Sequence, residues 1–430
     1  MERKLKPEVQ TGFISHFLGK KLLPEIFLTA SICHHKLRIT IQQMYSKKHL
    51  AILGCCLFIM ACSADPAPAQ SARKQVSASS QNNHAAQIAQ ALQKKSINIV
   101  QIGDSHTAAD YLTDAARVYL QQQLGNGGPG WAMPTQFPGL RLARFTYQNQ
   151  GWQAISSRTD TSQNYALGGL VAVPSVGAVM TIKTRGEPEA EQTVTVTIRQ
   201  GPNDEDLTIT DSNGKQIELG AQPKDNQWHF SQFNARFPIT VTAGMNFQTA
   251  IGGWWVRNPN RQGVVFSALG INGAQLTQWQ RWNTQAWQQE LNVIAPDLII
   301  LAYGTNEAYN GVEIETVKQN LIETINRIRA ASPNSAIMIL GAPESLKSTA
   351  GSCGVRPEKL TELQEMQKEV AQSQQVFFWD WQAVMGGECS MKPWINQGLA
   401  RNDGVHFTSK GYQRLGQALG ESILSMRQQR

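Results

Sequence analysis

Two short segments, some 300 residues apart, carry the residue types of nucleophilic acyl chemistry. The first is Gly103-Asp104-Ser105-His106, directly after the β-branched run Ser96-Ile97-Asn98-Ile99-Val100-Gln101-Ile102. A serine at the turn from a strand into the next helix exposes its hydroxyl, and ligands of open α/β sheets bind at the carboxyl ends of the strands. The positive end of that helix would favour an oxyanion. Such a serine is also an ordinary helix N-cap, so the segment needs partners before it means catalysis.

The second segment is Asn402-Asp403-Gly404-Val405-His406-Phe407-Thr408, just ahead of a helical stretch over Ser409–Met426. A carboxylate three residues before an imidazole can accept its Nδ1 proton and fix the ring tautomer. The free Nε2 can then take a serine proton. The plainer alternative is that Asp403 caps local backbone and His406 is a polar surface group. Two further turns could supply an oxyanion hole. Tyr303-Gly304-Thr305-Asn306-Glu307 closes another apolar strand and offers the Asn306 side-chain amide. Gly270-Ile271-Asn272-Gly273-Ala274 offers a backbone N–H at Gly273, with Gly270 as the fallback. Alone, each reads equally well as a plain turn.

The elements that would position these turns alternate between strand and helix. A helix-like segment over His84–Lys95 precedes the first strand, and a helix is expected over Ala108–Leu124. Apolar runs recur at Gly263–Ser267, Asp297–Ala302, Ser335–Leu340 and Gln375–Trp379, with helical stretches at Glu313–Ser332 and Arg356–Gln372. This alternation predicts a three-layer α/β domain on a mainly parallel sheet, over residues 86–124 and 263–430. Residues 125–262 differ: short strand-like runs at Ala178–Lys183, Thr193–Arg199, Leu207–Asp211, Lys215–Leu219 and Ile239–Thr242, with no helical period between them. Asn213-Gly214 signals a tight hairpin. The segment reads as an inserted β-sandwich or jelly roll packed on the rim of the active-site face.

The net charge of +7 suggests a basic protein, but residues 1–61 hold 9 Lys/Arg against 3 Asp/Glu, leaving 30 against 29 in the rest. A nearly neutral body excludes a nucleic-acid partner. Tyr45-Ser46-Lys47-Lys48 followed by the apolar run Leu50–Ala61 has the form of a secretory signal, too short for a comfortable membrane span. Residues 44–64 are therefore expected to be a signal peptide starting at Met44, with 1–43 a mis-annotated extension and 65–85 a flexible tether. Ile59-Met60-Ala61-Cys62 resembles a lipobox that would anchor Cys62 to the outer membrane; a plain cut near Ala64 or Ala69 is the alternative. Either places the protein in the periplasm. Of six cysteines only Cys353 and Cys389 follow the leader, which in an oxidising compartment suggests one disulfide, two buried thiols being the alternative.

By Ser105, Gly273, Asn306 and His406, in this order and on these elements, the sequence resembles the SGNH hydrolases, whose sheet is flavodoxin-like. Residue by residue, the resemblance implies Ser105 as nucleophile, His406 as base then acid, and Asp403 as its orienter. It implies an oxyanion hole from Ser105, Gly273 and Asn306, and no metal or cofactor. Two positions depart from the family: His106 replaces the usual leucine and Glu307 the usual aspartate. Within the family, the export signal, Gly-Asp-Ser-His, the β-rich insertion and Asp-Gly-Val-His-Phe-Thr resemble the Gram-negative peptidoglycan O-acetylesterases. That likeness implies hydrolysis of the acetyl ester on the C6 hydroxyl of N-acetylmuramic acid, O-acetylated peptidoglycan as partner, and an insertion resembling a carbohydrate-binding module. A monomer is expected. Trp254 and Trp255, with Trp228 and Trp152, are candidates for stacking on sugars, core packing being the alternative; Trp279, Trp282 and Trp287 read as packing. The alternatives for function are an O-acetyltransferase with the same triad and a non-catalytic sugar-binding lipoprotein.

Overall fold

The computed structural model describes residues 84–428, Pro188 excepted. The expected signal peptide, the Met44 start, Cys62 and the tether up to residue 83 lie outside the described residues. A helix over 84–93 (α1) leads into β1 (Ser96–Gly103), and β1 pairs in parallel with β11 (Gly263–Gly270) and β12 (Leu298–Ala302). With β13 (Ala336–Leu340) and β14 (Phe377–Trp379) the order is β11-β1-β12-β13-β14, parallel throughout.

The strands read as unbroken apolar runs because both sheet faces are covered. Leu298, Ile300 and Ala302 of β12 join one core with Leu112 and Leu120 of α3 (Tyr111–Leu124) and Leu415 and Leu419 of α10 (Ser409–Ser425). The intervening Ile299 and Leu301 join the other core, with Leu291 of α4 (Thr284–Ile294), Ile325 of α6 (Ile314–Ala331) and Leu363 of α7 (Leu360–Gln374). The period of two along one strand thus feeds two helical layers, and each such buried side chain contributes roughly 1.5–3 kcal/mol.

The single helix expected over Ala108–Leu124 is instead two. A short α2 (Ser105–Ala108) ends before Asp110, which sits in the left-handed region at φ 47°, and α3 starts at Tyr111. Asp110 is held there because its carboxylate accepts from Thr113 Oγ1, Arg117 Nη2 and the Ala143 N–H. Tertiary contacts from the insertion thus override helix propensity.

Nine strands make a second sheet. The 15-residue β4 (Leu170–Thr184) pairs along one edge with β3 (Phe145–Ser156). Its other edge takes β10 (Ala250–Arg257) at Ala172 and β9 (Ile239–Thr242) at Val179–Ile182. One edge serving two arms, β10-β5-β8 and β9-β6-β7, lets the sheet fold over a common core, in which Val194, Val196, Ile198, Ile209 and Val241 are buried. The arms comprise β5 (Glu191–Arg199), β6 (Leu207–Thr210), β7 (Gln216–Leu219) and β8 (Trp228–Arg236). The hairpin at Asn213-Gly214 joins β6 and β7, through a five-residue loop closed by Asp211 and Lys215 rather than a two-residue turn. The insertion's first and last strands, β2 (Gly130–Ala132) and β10, pair with each other, so the chain leaves and re-enters the α/β domain at one place.

Two features of this architecture lead to measurable outcomes. Cys353 and Cys389, 36 residues apart, form a disulfide around α7 and β14. A closed loop of that length constrains the unfolded chain by about 3–4 kcal/mol. Cys389→Ser is therefore expected to lower the melting temperature by on the order of 5 °C, with esterase activity at 25 °C little altered. An unchanged melting temperature would refute this.

Glu290 of α4 is fully buried; its Oε1 accepts from Thr197 Oγ1 (2.6 Å) and Trp255 Nε1 (2.8 Å), and Oε2 from the Leu167 N–H (2.9 Å). Burial outweighs these three donors and pushes its carboxyl up to about 7. Between its ordinary value of 4.5 and about 7 the folded chain keeps a proton that the unfolded chain has lost. Stability contributed by Glu290 therefore falls as pH rises through that window. Thermal unfolding at pH 5 and pH 8 should show a smaller drop for Glu290→Gln than for the parent; equal drops would remove Glu290 as the cause.

Candidate active site

Strands β1, β11 and β12 end together, and the turns after them meet helix-flanking residues from the C-terminal end of the chain. Gly103 pairs with Gly270 on one side and Ala302 on the other, so the turns after the three strands lie side by side. Ser105 follows β1, Asn272 and Gly273 follow β11, and Asn306 follows β12. His406 arrives from the loop before α10. These residues line one cleft of about 460 Å³.

Ser105 Oγ lies 3.0 Å from His406 Nε2, and His406 Nδ1 lies 2.9 Å from Asp403 Oδ2. The other carboxylate oxygen, Oδ1, accepts the backbone N–H groups of Val405 and His406, both at 2.9 Å. Partial burial pushes the Asp403 carboxyl up, but these two N–H groups and the imidazole outweigh it and hold it below the usual carboxylate range. An ionised Asp403 requires the Nδ1 proton on His406, which leaves Nε2 free to accept from Ser105.

Three residues with N–H donors, Ser105, Gly273 and Asn306, line the same cleft. The Ser105 and Gly273 backbone N–H groups donate to no backbone acceptor among the described residues. Asn306 Nδ2 donates to the Ala274 carbonyl at 2.9 Å, which fixes the amide plane, and among the described residues its other acceptor is Asp104 Oδ2 at the longer 3.4 Å. Gly273 has φ 69°, a left-handed backbone that favours glycine, whereas a Cβ there would meet only the movable end of the exposed Arg158 side chain. Gly270, the fallback donor, is not at the cleft. It ends β11, where a Cβ would lie 2.1 Å from the Ala108 nitrogen, so this glycine serves close packing of strand on helix. The helix that begins at Ser105 has only four residues, too short for an extended macrodipole at the hydroxyl.

The two departures from the family pattern have structural partners. His106 is buried, with Nδ1 2.8 Å from Tyr412 Oη and its ring 5.4 Å from that of His406. Burial, then the neighbouring His406, lowers its pKa to about 3, so it stays neutral beside the His406 ring. Glu307 accepts the Leu276 N–H at 2.7 Å and the Gly304 N–H at 3.0 Å, tying the Gly273 loop to the Asn306 turn. Asp104 is buried, caps α2 through the His106 N–H (3.0 Å), and burial, aided by Glu307, raises its carboxyl to about 7.

The tryptophans offered for sugar stacking are core residues. Trp254 and Trp255 are 0% and 5% exposed, donating to the Pro134 carbonyl and to Glu290, and Trp152 and Trp228 are buried as well. Stacking needs an open ring face, which none of them presents. Trp279, Trp282 and Trp287 pack against one another as expected. The sequence reading missed Tyr111, Arg141, Arg401 and Tyr412, which also line the cleft. Arg141 directly follows the aperiodic stretch Phe137-Pro138-Gly139-Leu140, where nothing local marks it; Arg401 stood only two residues from Asp403.

A family model for the peptidoglycan O-acetylesterase N-terminal region matches residues 127–240, and one for the GDSL-like lipase/acylhydrolase family matches 239–414. Ser105 precedes both. Nothing among curated proteins matches the chain. A solved peptidoglycan O-acetylesterase is 39% identical, over 81% of this chain and 96% of that one, with a TM-score of 0.73. A Bacillus subtilis protein of known structure is 12% identical over 65% of this chain and 90% of its own, TM-score 0.34. An acetyl xylan esterase is 11% identical over 37% and 81%, TM-score 0.31. The last two are too distant to bear on function.

Proposed function

This chain belongs to the peptidoglycan O-acetylesterase family, and we propose that it hydrolyses the acetyl ester on the C6 hydroxyl of N-acetylmuramic acid in wall glycan, with Ser105, His406 and Asp403 as its triad. The observation that carries this reading is the Asp403–His406–Ser105 relay, at 2.9 and 3.0 Å, in a cleft that also presents Gly273 and Asn306.

In the first half-reaction Ser105 Oγ attacks the acetyl carbonyl while His406 Nε2 takes its proton. The oxyanion is met by the Ser105 and Gly273 N–H groups and the Asn306 amide. The bond to the sugar oxygen breaks, that oxygen takes the proton from His406, and Ser105 is left acetylated. In the second, water gives a proton to His406 and attacks the acetyl carbonyl. Acetic acid leaves and ionises to acetate in solvent, and the His406 proton returns to Ser105 Oγ. Asp403 stays ionised throughout and stabilises the imidazolium. Each step balances without a metal or cofactor.

Export through the apolar segment before Ala61, residence in the periplasm, an outer-membrane anchor on Cys62, a monomeric state and glycan binding by the β-rich insertion belong to the same proposal. The reaction class is tested by giving the purified protein O-acetylated peptidoglycan in heavy-oxygen water. Free acetate carrying one solvent oxygen is expected. Acetyl passing to an added glycan acceptor with no free acetate would make the protein an O-acetyltransferase instead.

A further inference from the structure

Two cations face the same cleft without a carboxylate of their own. Arg141 and Arg401 line it together with Ser105 and His406. Among the described residues Arg117, Arg144 and Arg356 are ion-paired while the half-buried Arg199, Arg236, Arg257 and Arg329 are not, so what sets Arg141 and Arg401 apart is that both flank the reacting serine and histidine. Neither Arg141 nor Arg401 has an acidic side chain within ion-pair distance among the described residues. The acidic group nearest to Arg401 along the chain, Asp403, spends both its oxygens on His406 and Val405.

Arg141 is held in place by the protein. Its backbone N–H donates to the Ala108 carbonyl at 3.1 Å, its Nη1 to the Ala109 carbonyl at 3.2 Å, and its guanidinium lies 4.0 Å from the centre of the Tyr111 ring. A stacked guanidinium with one N–H spent keeps a planar fork of donors, the geometry that matches a carboxylate. Arg401 is tied to the base, because its backbone N–H donates to the His406 carbonyl at 2.8 Å, while its side chain is exposed.

An acetylated sugar with only hydroxyls and amides would leave these two charges unanswered. We propose that Arg141 and Arg401 form a carboxylate subsite, which holds an acidic group of the substrate while its acetyl ester lies at Ser105. The inference rests on the glycan reading above and deepens it: the ester is selected by the acid it travels with. Muramic acid differs from glucosamine in bearing a lactyl carboxyl. The same chemistry could come from that lactyl group or from an acidic residue of an attached peptide. Binding energy from such a remote group positions the ester for attack.

The test compares kcat/KM for 6-O-acetyl-N-acetylmuramic acid, its O-acetylated muramyl dipeptide and 6-O-acetyl-N-acetylglucosamine, in the parent and in Arg141→Met and Arg401→Met. Taking the ratio of acidic to neutral substrate within each protein cancels any general loss of folding or activity. The parent is expected to favour an acidic substrate about tenfold to a hundredfold, through KM, and each variant to lose most of that ratio. Preference for the free acid assigns the lactyl carboxylate, and preference for the dipeptide assigns the peptide. A ratio near one in the parent, or a ratio that both variants keep, overturns the subsite and leaves the esterase standing. Should no acetylated sugar be turned over although an aryl acetate is, the glycan reading fails. Inhibition of aryl acetate turnover then decides the subsite. Stronger competition by N-acetylmuramic acid than by N-acetylglucosamine, lost in both variants, upholds it, and equal competition overturns it.

Discussion

Ser105→Ala and His406→Ala are each expected to lower kcat/KM on an aryl acetate by roughly 10⁴-fold or more, and the double variant by hardly more than either alone. The expectation comes from geometry. Among the described residues the one side-chain partner of Ser105 Oγ is His406 Nε2 at 3.0 Å, so the serine proton has no other side chain to go to. Groups that act as one unit lose the whole unit when either is removed. Alanine at 105 leaves only the His406 Nε2 acceptor without its partner, and that ring is partly exposed, so the fold should survive, as circular dichroism and an unchanged melting temperature would show. Losses that multiply in the double variant would mean that serine and histidine act independently, and the relay would be wrong.

Asp403→Asn should cost about 10³–10⁴-fold in kcat while leaving the backbone turn intact. Asp403 Oδ1 accepts two backbone N–H groups at 2.9 Å, so an asparagine must keep its oxygen on that side. Its NH₂ then faces His406 Nδ1, where the carboxylate oxygen lay at 2.9 Å. An amide donor there requires Nδ1 to be unprotonated, which moves the ring proton to Nε2 and blocks acceptance from Ser105. Loss in kcat with little change in KM, at pH 7–9, is the expected pattern. An asparagine variant within about tenfold of the parent would reduce Asp403 to a backbone cap and leave His406 oriented by other contacts.

The parallel sheet was legible in the sequence because strands buried on both faces carry unbroken apolar runs, as Leu298–Ala302 and Ala336–Leu340 do. The residues of the relay were legible because each stands next to such a strand or just ahead of a strongly periodic helix. The β-rich insertion was only half legible. Its strands β3 and β8 carry Gln, Asn, Ser and Trp along half-exposed ladders, and β10 contains two glycines, so neither alternation nor β-branched runs mark them. The break at Asp110 was hidden because one of the three donors that hold its carboxylate, the Ala143 N–H, lies 33 residues away. The tryptophans misled because aromatic residue type says nothing of ring exposure. Trp255 looked like a sugar platform and is a buried donor to Glu290. Arg141 and Arg401 reach the cleft from aperiodic segments, where only tertiary structure gives a position meaning.

Acetate release from O-acetylated peptidoglycan by the purified protein, side by side with Ser105→Ala, tests the central claim most directly. The protein should release acetate until the ester is exhausted, and the alanine variant should release none above the buffer. Release undiminished by that one substitution, or none from peptidoglycan by a protein that still cleaves an aryl acetate, would contradict a serine esterase acting on the cell wall.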